Sequence, residues 1–195
     1  MNTIISGSVS SLVVFYLYPY FMQERDRFSS YNPVNICNGL LAGLVSITAS
    51  CNNVENYSAF AIGAVGGLIF IFACRVLVLL KIDDPCCASQ IHGICGAWGV
   101  IALGFFDRHT GLIYTGSFRQ LGIQCIGALS LTLWTVAMTL PYFHLLNKIQ
   151  RLRVSPLYEI IGLDILMHEE KEKLSHISQQ SLEVLEGQRR AQAVF

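Results

Sequence analysis

The side chain best suited to chemistry in this sequence is a histidine in a costly place. Residues 81–106, KIDDPCCASQIHGICGAWGVIALGFF, open as a polar loop carrying Asp83, Asp84, Cys86 and Cys87 and end as an apolar run, with His92 near the middle. An imidazole can donate from one nitrogen, accept at the other and exchange a proton near neutral pH. Within an apolar segment such a group is expected to face a cavity, a partner or a permeation path. The plainer alternative is a ring hydrogen-bonded to a neighbouring carbonyl for packing. Metal chemistry has little support, because two adjacent cysteines followed five residues later by one histidine make poor zinc spacing. The chain also lacks an HExxH pair, a GxSxG elbow and a phosphate loop, so no enzyme, metal or cofactor is expected.

The elements that position His92 follow from composition. The chain of 195 residues is 53% hydrophobic and 13% charged, and its mean hydropathy is +0.50. A soluble domain is about a quarter charged, so a membrane protein is expected. Thirteen basic and thirteen acidic residues cancel, which gives no support to nucleic-acid binding. The seven cysteines lie mostly in apolar stretches and read as small packing residues. Nothing at the Met1 end reads as a removable signal. Five apolar segments, roughly 4–22, 34–51, 58–80, 85–106 and 121–146, approach the length needed to cross ~30 Å of hydrocarbon. The expected fold is all-α: a polytopic bundle of about five membrane helices over residues 1–147, with a cytoplasmic tail over 148–195. That tail carries an apolar stripe of Leu174, Ile177, Leu182 and Leu185 at helical spacing, suited to a solvated or partner-docking helix.

Basic residues set the orientation. Arg25, Arg27, Arg75, Lys81, Lys148, Arg151 and Arg153 fall on one side, and Arg108 and Arg119 on the other. The positive-inside rule then places the tail in the cytoplasm. Asn56 opens an Asn-Tyr-Ser acceptor sequence in a loop that this topology puts outside, a weak glycosylation signal. Cys51 should accordingly be more accessible from outside than Cys86 or Cys87. Glycines at Gly39 and Gly43, at Gly63 and Gly67, and at Gly93, Gly96 and Gly99 suit close helix packing in lipid.

Around His92 the local reading is specific. Asp84 suits an N-cap and Pro85 the first helical position, so the fourth span is expected to start near Pro85. His92 then lies about 10 Å beyond that start. Cys95, Gly96 and Gly99 follow at i+3, i+4 and i+7, which predicts a face beside the imidazole nearly without bulk.

These residues carry a resemblance. The run DDPCCASQIHGICGAWG, preceded by NGLLAGLVSITASC at 38–51 and followed by GLDILMHEE in the tail, resembles the C-terminal half of the ammonium transporter family (Amt/Mep, related to the Rhesus proteins). The likeness extends from Asn2 and Thr3 through His168. It implies ammonium or ammonia as substrate, trimers of family subunits, homomeric or heteromeric, and a multi-pass position in the bilayer of the plasma membrane. The five segments resemble spans seven to eleven of eleven. By resemblance, His92 is the second of two pore histidines that share a hydrogen bond, the first belonging to the other half. Asn38 and Thr48 are pore-lining candidates or interhelical hydrogen-bonding groups, Trp98 is packing, and Asp83, Asp84 and Pro85 shape the cytoplasmic loop. Gly162, Leu163 and Asp164 resemble a tail segment that docks on cytoplasmic loops and regulates the pore. Two functions stay open: ammonium transport with the other half supplied, and a non-transporting regulatory subunit.

Overall fold

The computed structural model describes residues 1–22 and 32–154, which are helical with no strand among them. Helix α1 spans Asn2–Met22, α2 Pro33–Ile47 and α3 Asn56–Leu79. A π-helical segment, Ser89–Ile94, runs directly into α4, Cys95–Phe106. A single turn, α5 at Leu112–Thr115, precedes the long α6, Arg119–Lys148. Four of these stretches are long and apolar enough to cross a membrane: Asn2–Met22, Asn56–Leu79, Ser89–Phe106 and Arg119–Lys148. The second expected span is shorter than predicted. Helix α2 has 15 residues, about 22 Å at helical rise, and the chain turns from Thr48 instead of continuing to Cys51.

Contacts divide the chain into two units, Met1–Leu133 and Trp134–Phe195. In the first, α1 is the centre of packing. Its buried residues Ser6, Ser10, Val14 and Tyr18 recur every four positions and form one narrow, mostly small face. Glycines on both neighbours meet it. A Cβ on Gly39 of α2 would come within 2.7 Å of Val14 Cβ, and one on Gly43 of α2 or Gly63 of α3 would collide with the Ser6 carbonyl. Lipid gives apolar helices no hydrophobic reason to associate, so this close backbone approach, with its dispersion contacts, is what holds them together. The Ser6 hydroxyl adds a hydrogen bond to the Gly43 carbonyl at 2.8 Å.

The glycine pairs on α2 and α3 therefore act as expected, and the third group divides. Gly99 packs against the Ser46 carbonyl, where a Cβ would stand 2.7 Å away, whereas Gly93 has nothing within 4 Å. Gly66, absent from the expected set, faces the Ser46 hydroxyl across the α2–α3 contact. Ser46 fits because its hydroxyl turns back to the Ala42 carbonyl at 2.7 Å.

One end of this unit is fastened by polar loops. Asn2 Nδ2 donates to the carbonyls of Cys51 and Val54, both at 2.9 Å. Asp107, only 5% exposed, accepts from Asn53 Nδ2 at 3.3 Å and from the N–H groups of His109 and Thr110 at 2.7 and 2.8 Å. Arg108 ion-pairs with Glu55 at 3.2 Å and donates to the Asn52 carbonyl at 3.1 Å. Burial alone would raise the Asp107 carboxyl, but the Thr110 and His109 N–H groups outweigh it and hold the group below its ordinary value. At the opposite end the Arg75 guanidinium donates to the Phe21 carbonyl.

In the second unit, the described residues are the latter part of α6 and the stretch to Val154. Helix α6 has 30 residues and contains Pro141, and none of them is buried. Near its start Leu121 packs against Gly104 of α4, and the exposed apolar side chains that follow are suited to lipid or to further protein.

Candidate functional site

The loop before His92 is built around Asp84. Pro85 and Cys86 turn the chain, and Cys87 takes a left-handed backbone with φ of 53°. The Asp84 carboxylate then accepts from the N–H of Ala88 at 3.0 Å and of Ser89 at 2.8 Å, and from the Ser89 hydroxyl. Gln90, 4% exposed, turns its amide nitrogen to the same carboxylate at 2.7 Å and to the Cys87 carbonyl at 3.2 Å. The Ser89 hydroxyl, then its N–H, hold the Asp84 carboxyl below its ordinary value.

The expected start of the fourth span is corrected by this loop. Asp84 does satisfy the first free N–H groups of the helix, but it does so across a turn, and regular structure begins at Ser89, not at Pro85. His92 is thus the fourth helical residue, about 5 Å along the axis from the start and not 10 Å. Asp83, the residue before Asp84, is exposed. Because the folded-state pKa of Asp84 is lowered, its contribution to stability is present above the ordinary value of 3.8 and lost as pH falls through the folded one. Asp84→Ala is expected to cost about 1 kcal/mol at neutral pH, read as a lower unfolding midpoint in detergent. The difference from the parent should vanish at strongly acidic pH.

The π geometry decides what shares a face with the imidazole. The Cys95 N–H donates to the Gln90 carbonyl, a five-residue spacing that widens the turn. Gln90, Ile91, Cys95, Gly99 and Ala102 are buried, while His92, Gly93 and Ile94 are exposed. Cys95 and Gly99 therefore do not share the histidine's face as expected: Cys95 Sγ reaches the Gly66 carbonyl at 3.6 Å, inside the bundle. Gly96 is half-buried, with Val45 Cγ1 3.7 Å from where a Cβ would sit. The bulk-free face beside His92 is supplied by Gly93 instead.

The remaining candidates are placed as follows. Asn38 is half-buried on α2. Thr48 is exposed and donates to the Val45 carbonyl at 2.7 Å, a bond within its own helix end and not between helices. Trp98 packs as expected, with Nε1 donating to the Ile62 carbonyl at 3.1 Å. Asn56 is exposed at the start of α3, but the Ser58 of its acceptor sequence is fully buried, which disfavours glycosylation. Gly162, Leu163 and Asp164 lie outside the described residues. Among the described residues no three metal-ligating side chains gather. The latch of Asp107, Arg108, Asn53 and Glu55 had no sequence-level signal beyond Arg108 as a loop charge.

An apolar helical bundle that leaves one imidazole on an open, glycine-flanked face is matched by one family description, Ammonium Transporter Family, over residues 1–173. The chain belongs to that family. As a member of the Ammonium Transporter Family it is similar to ammonium transporter 1 member 2 of Oryza sativa subsp. japonica, 33% identical over 181 residues that cover 86% of this chain and 35% of that protein. Ammonium transporter 1 member 3 of Solanum lycopersicum is 32% identical, covering 86% of this chain and 39% of the relative. The crystal structure of Saccharomyces cerevisiae Mep2 superposes with a TM-score of 0.67 at 27% identity, over 80% of this chain and 36% of that one. Candida albicans Mep2 gives 0.68 at 25%. This family member is therefore a multi-pass helical membrane protein, and its relatives are named as transporters, not enzymes. It spans little more than a third of the length of the curated relatives it matches.

Proposed function

We propose that this chain forms one wall of a pore that conducts ammonium, with His92 as a proton-exchanging group on that wall. The observation that carries the reading is the exposure of His92 beside Gly93 on a helix whose Gln90, Ile91, Cys95 and Gly99 are packed into the bundle, in a chain that covers about a third of an ammonium transporter. Taking a bare ammonium ion into apolar surroundings costs many kcal/mol unless it is paired, whereas neutral ammonia crosses readily. An imidazole that accepts and passes on a proton reconciles selectivity with charge movement. Pairing needs a second group from the complementary segment, in line with the resemblance to a twin-histidine pore. The test is co-expression of this chain with the N-terminal portion of a relative in cells lacking their own ammonium transporters. Growth on low ammonium as sole nitrogen source is expected only when both are present.

A second reading is a regulatory subunit of a transporter assembly that does not itself transport. Trimeric assembly with family subunits, residence in the plasma membrane and a cytoplasmic tail from 148 onward belong to the transport reading. The docking role of Gly162, Leu163 and Asp164 belongs to it as well.

The orientation makes its own prediction. Arg75 and Lys81 mark one end of the first unit, and the loop holding Asn52 lies at the other, beside Arg108. In a cysteine-free background, Asn52→Cys should react with an impermeant thiol reagent in sealed cells. Restored Cys86, which is exposed, should react only after permeabilisation. The reverse pattern inverts the topology.

A further inference from the structure

The loop between α3 and the π segment brings two cysteines from different elements to one cavity. Helix α3 is followed by a left-handed residue, Lys81, with φ of 56°. Its N–H donates to the Val78 carbonyl at 3.1 Å and the Ile82 N–H to the Leu77 carbonyl at 3.0 Å, so the chain reverses at the end of α3. A second left-handed residue, Cys87 with φ of 53°, closes the loop. The Cys87 N–H donates to the Asp84 carbonyl at 3.1 Å, and the Cys87 carbonyl accepts from the Ile91 N–H at 3.0 Å and the Gln90 amide at 3.2 Å. A residue with a side chain keeps such a conformation only where its surroundings fix it. Cys87 thereby packs on the buried cluster that contains Cys74 of α3, while its neighbour Cys86 stays exposed.

Cys74 and Cys87 both line an open cavity of about 200 Å³, together with Tyr18, Met22, Asp84 and Gln90. Their thiols are close enough to perturb each other. Cys95 belongs to the same cluster but not to the cavity, since its Sγ turns to the Gly66 carbonyl. A water molecule occupies ~30 Å³ of liquid, so this space admits an oxidant of peroxide size. Burial raises the Cys87 thiol, which keeps its thiolate scarce and the pair reduced until peroxide accumulates.

We propose that Cys74 and Cys87 form a reversible disulfide under hydrogen peroxide, a modification site that ties α3 to the loop from which the His92 helix starts. The Cys87 thiolate attacks a peroxide oxygen, the O–O bond breaks, and the departing hydroxide takes up the thiol proton as water, leaving a sulfenic acid. The Cys74 sulfur then attacks the Cys87 sulfur, the S–O bond breaks, and the oxygen leaves as a second water. Two thiols lose two electrons and two protons, and one peroxide becomes two waters. On the orientation proposed above this end faces the cytoplasm, where a disulfide serves as a transient redox signal and not as a structural staple. The pairing does not depend on the transport reading. The test treats the full chain in mild detergent with hydrogen peroxide, blocks the remaining thiols with a maleimide and digests with trypsin without reductant. Trypsin cuts after Arg75 and Lys81, so the two cysteines leave in different peptides. Mass spectrometry should find those peptides joined, lighter by two hydrogens than their sum, and separated again by dithiothreitol. Cys74→Ala and Cys87→Ala should abolish the joined pair, whereas Cys86→Ser and Cys95→Ala should leave it unchanged. If Cys74→Ala loses helical circular dichroism, Cys87→Ala decides. Absence of the joined pair in the parent, or its persistence in Cys87→Ala, would overturn the assignment.

Discussion

In a protein joining this chain to the N-terminal portion of a relative, His92→Ala is expected to lower uptake of an ammonium analogue about 100-fold, the scale on which a positioned proton-transfer group acts. Any residual flux should be unselective among small cations. Alanine removes both nitrogens of the ring and widens a path that Gly93 already leaves open. His92→Glu should be milder, since a carboxyl still exchanges a proton when burial raises its pKa. The comparison is made at equal surface abundance, with uptake and current recorded together. If His92→Ala leaves both flux and selectivity unchanged, the imidazole serves packing and the proposed role fails.

A second large effect is expected far from the histidine. Gly63→Leu drives a side chain into the Ser6 backbone of α1, where even a Cβ has no room. Neither backbone can yield without unseating Ser10 and Val14 from the neighbouring helices, so the loss should reach about 3 kcal/mol or more, at the upper end of overpacking effects. Thermal unfolding in detergent, followed by helical circular dichroism, reads it. Gly93→Ala is the counterpart. Nothing lies within 4 Å of its position, and alanine generally favours a helix over glycine by roughly 0.5–1 kcal/mol. Equal midpoints for Gly63→Leu and Gly93→Ala would mean that tight packing on α1 does not hold the bundle.

These two glycines show what the sequence could and could not disclose. Spacing alone made Gly63 and Gly93 equivalent, and only the neighbour across the interface separates them. The membrane-spanning helices were legible because length and apolarity are local properties. Helix starts were half legible. Asn32-Pro33 and Asp84-Pro85 offer the same signal of an acceptor followed by proline, yet they lead to different structures. Asn32 accepts from the Val34 N–H at 2.9 Å and α2 begins at once. Asp84 instead reaches across a turn to Ala88 and Ser89, and the helix begins late. The delay is fixed by the left-handed Cys87 and the buried Gln90, neither of which a local pattern announces.

The π segment was the least legible feature and the one that matters most at the site. A 3.6-residue period put Cys95 and Gly99 beside His92; the widened turn carries them into the core and leaves Gly93 as the histidine's neighbour. Such segments recur at functional sites because they turn a chosen side chain out of the packing register. The Asp107–Asn53 and Arg108–Glu55 contacts were invisible for a different reason. They join residues more than fifty positions apart, and no charge pattern in either loop anticipates the other.

If this chain is one wall of a pore completed by a complementary segment, conduction in proteoliposomes should require both parts. Vesicles containing the chain alone, the complementary N-terminal portion alone, or both are given an ammonium jump while transmembrane current and internal pH are recorded. A saturable current is expected only with both parts, because the chain by itself leaves polar groups of the pore wall open to lipid. A saturable, ammonium-selective current from the 195-residue chain alone would contradict it.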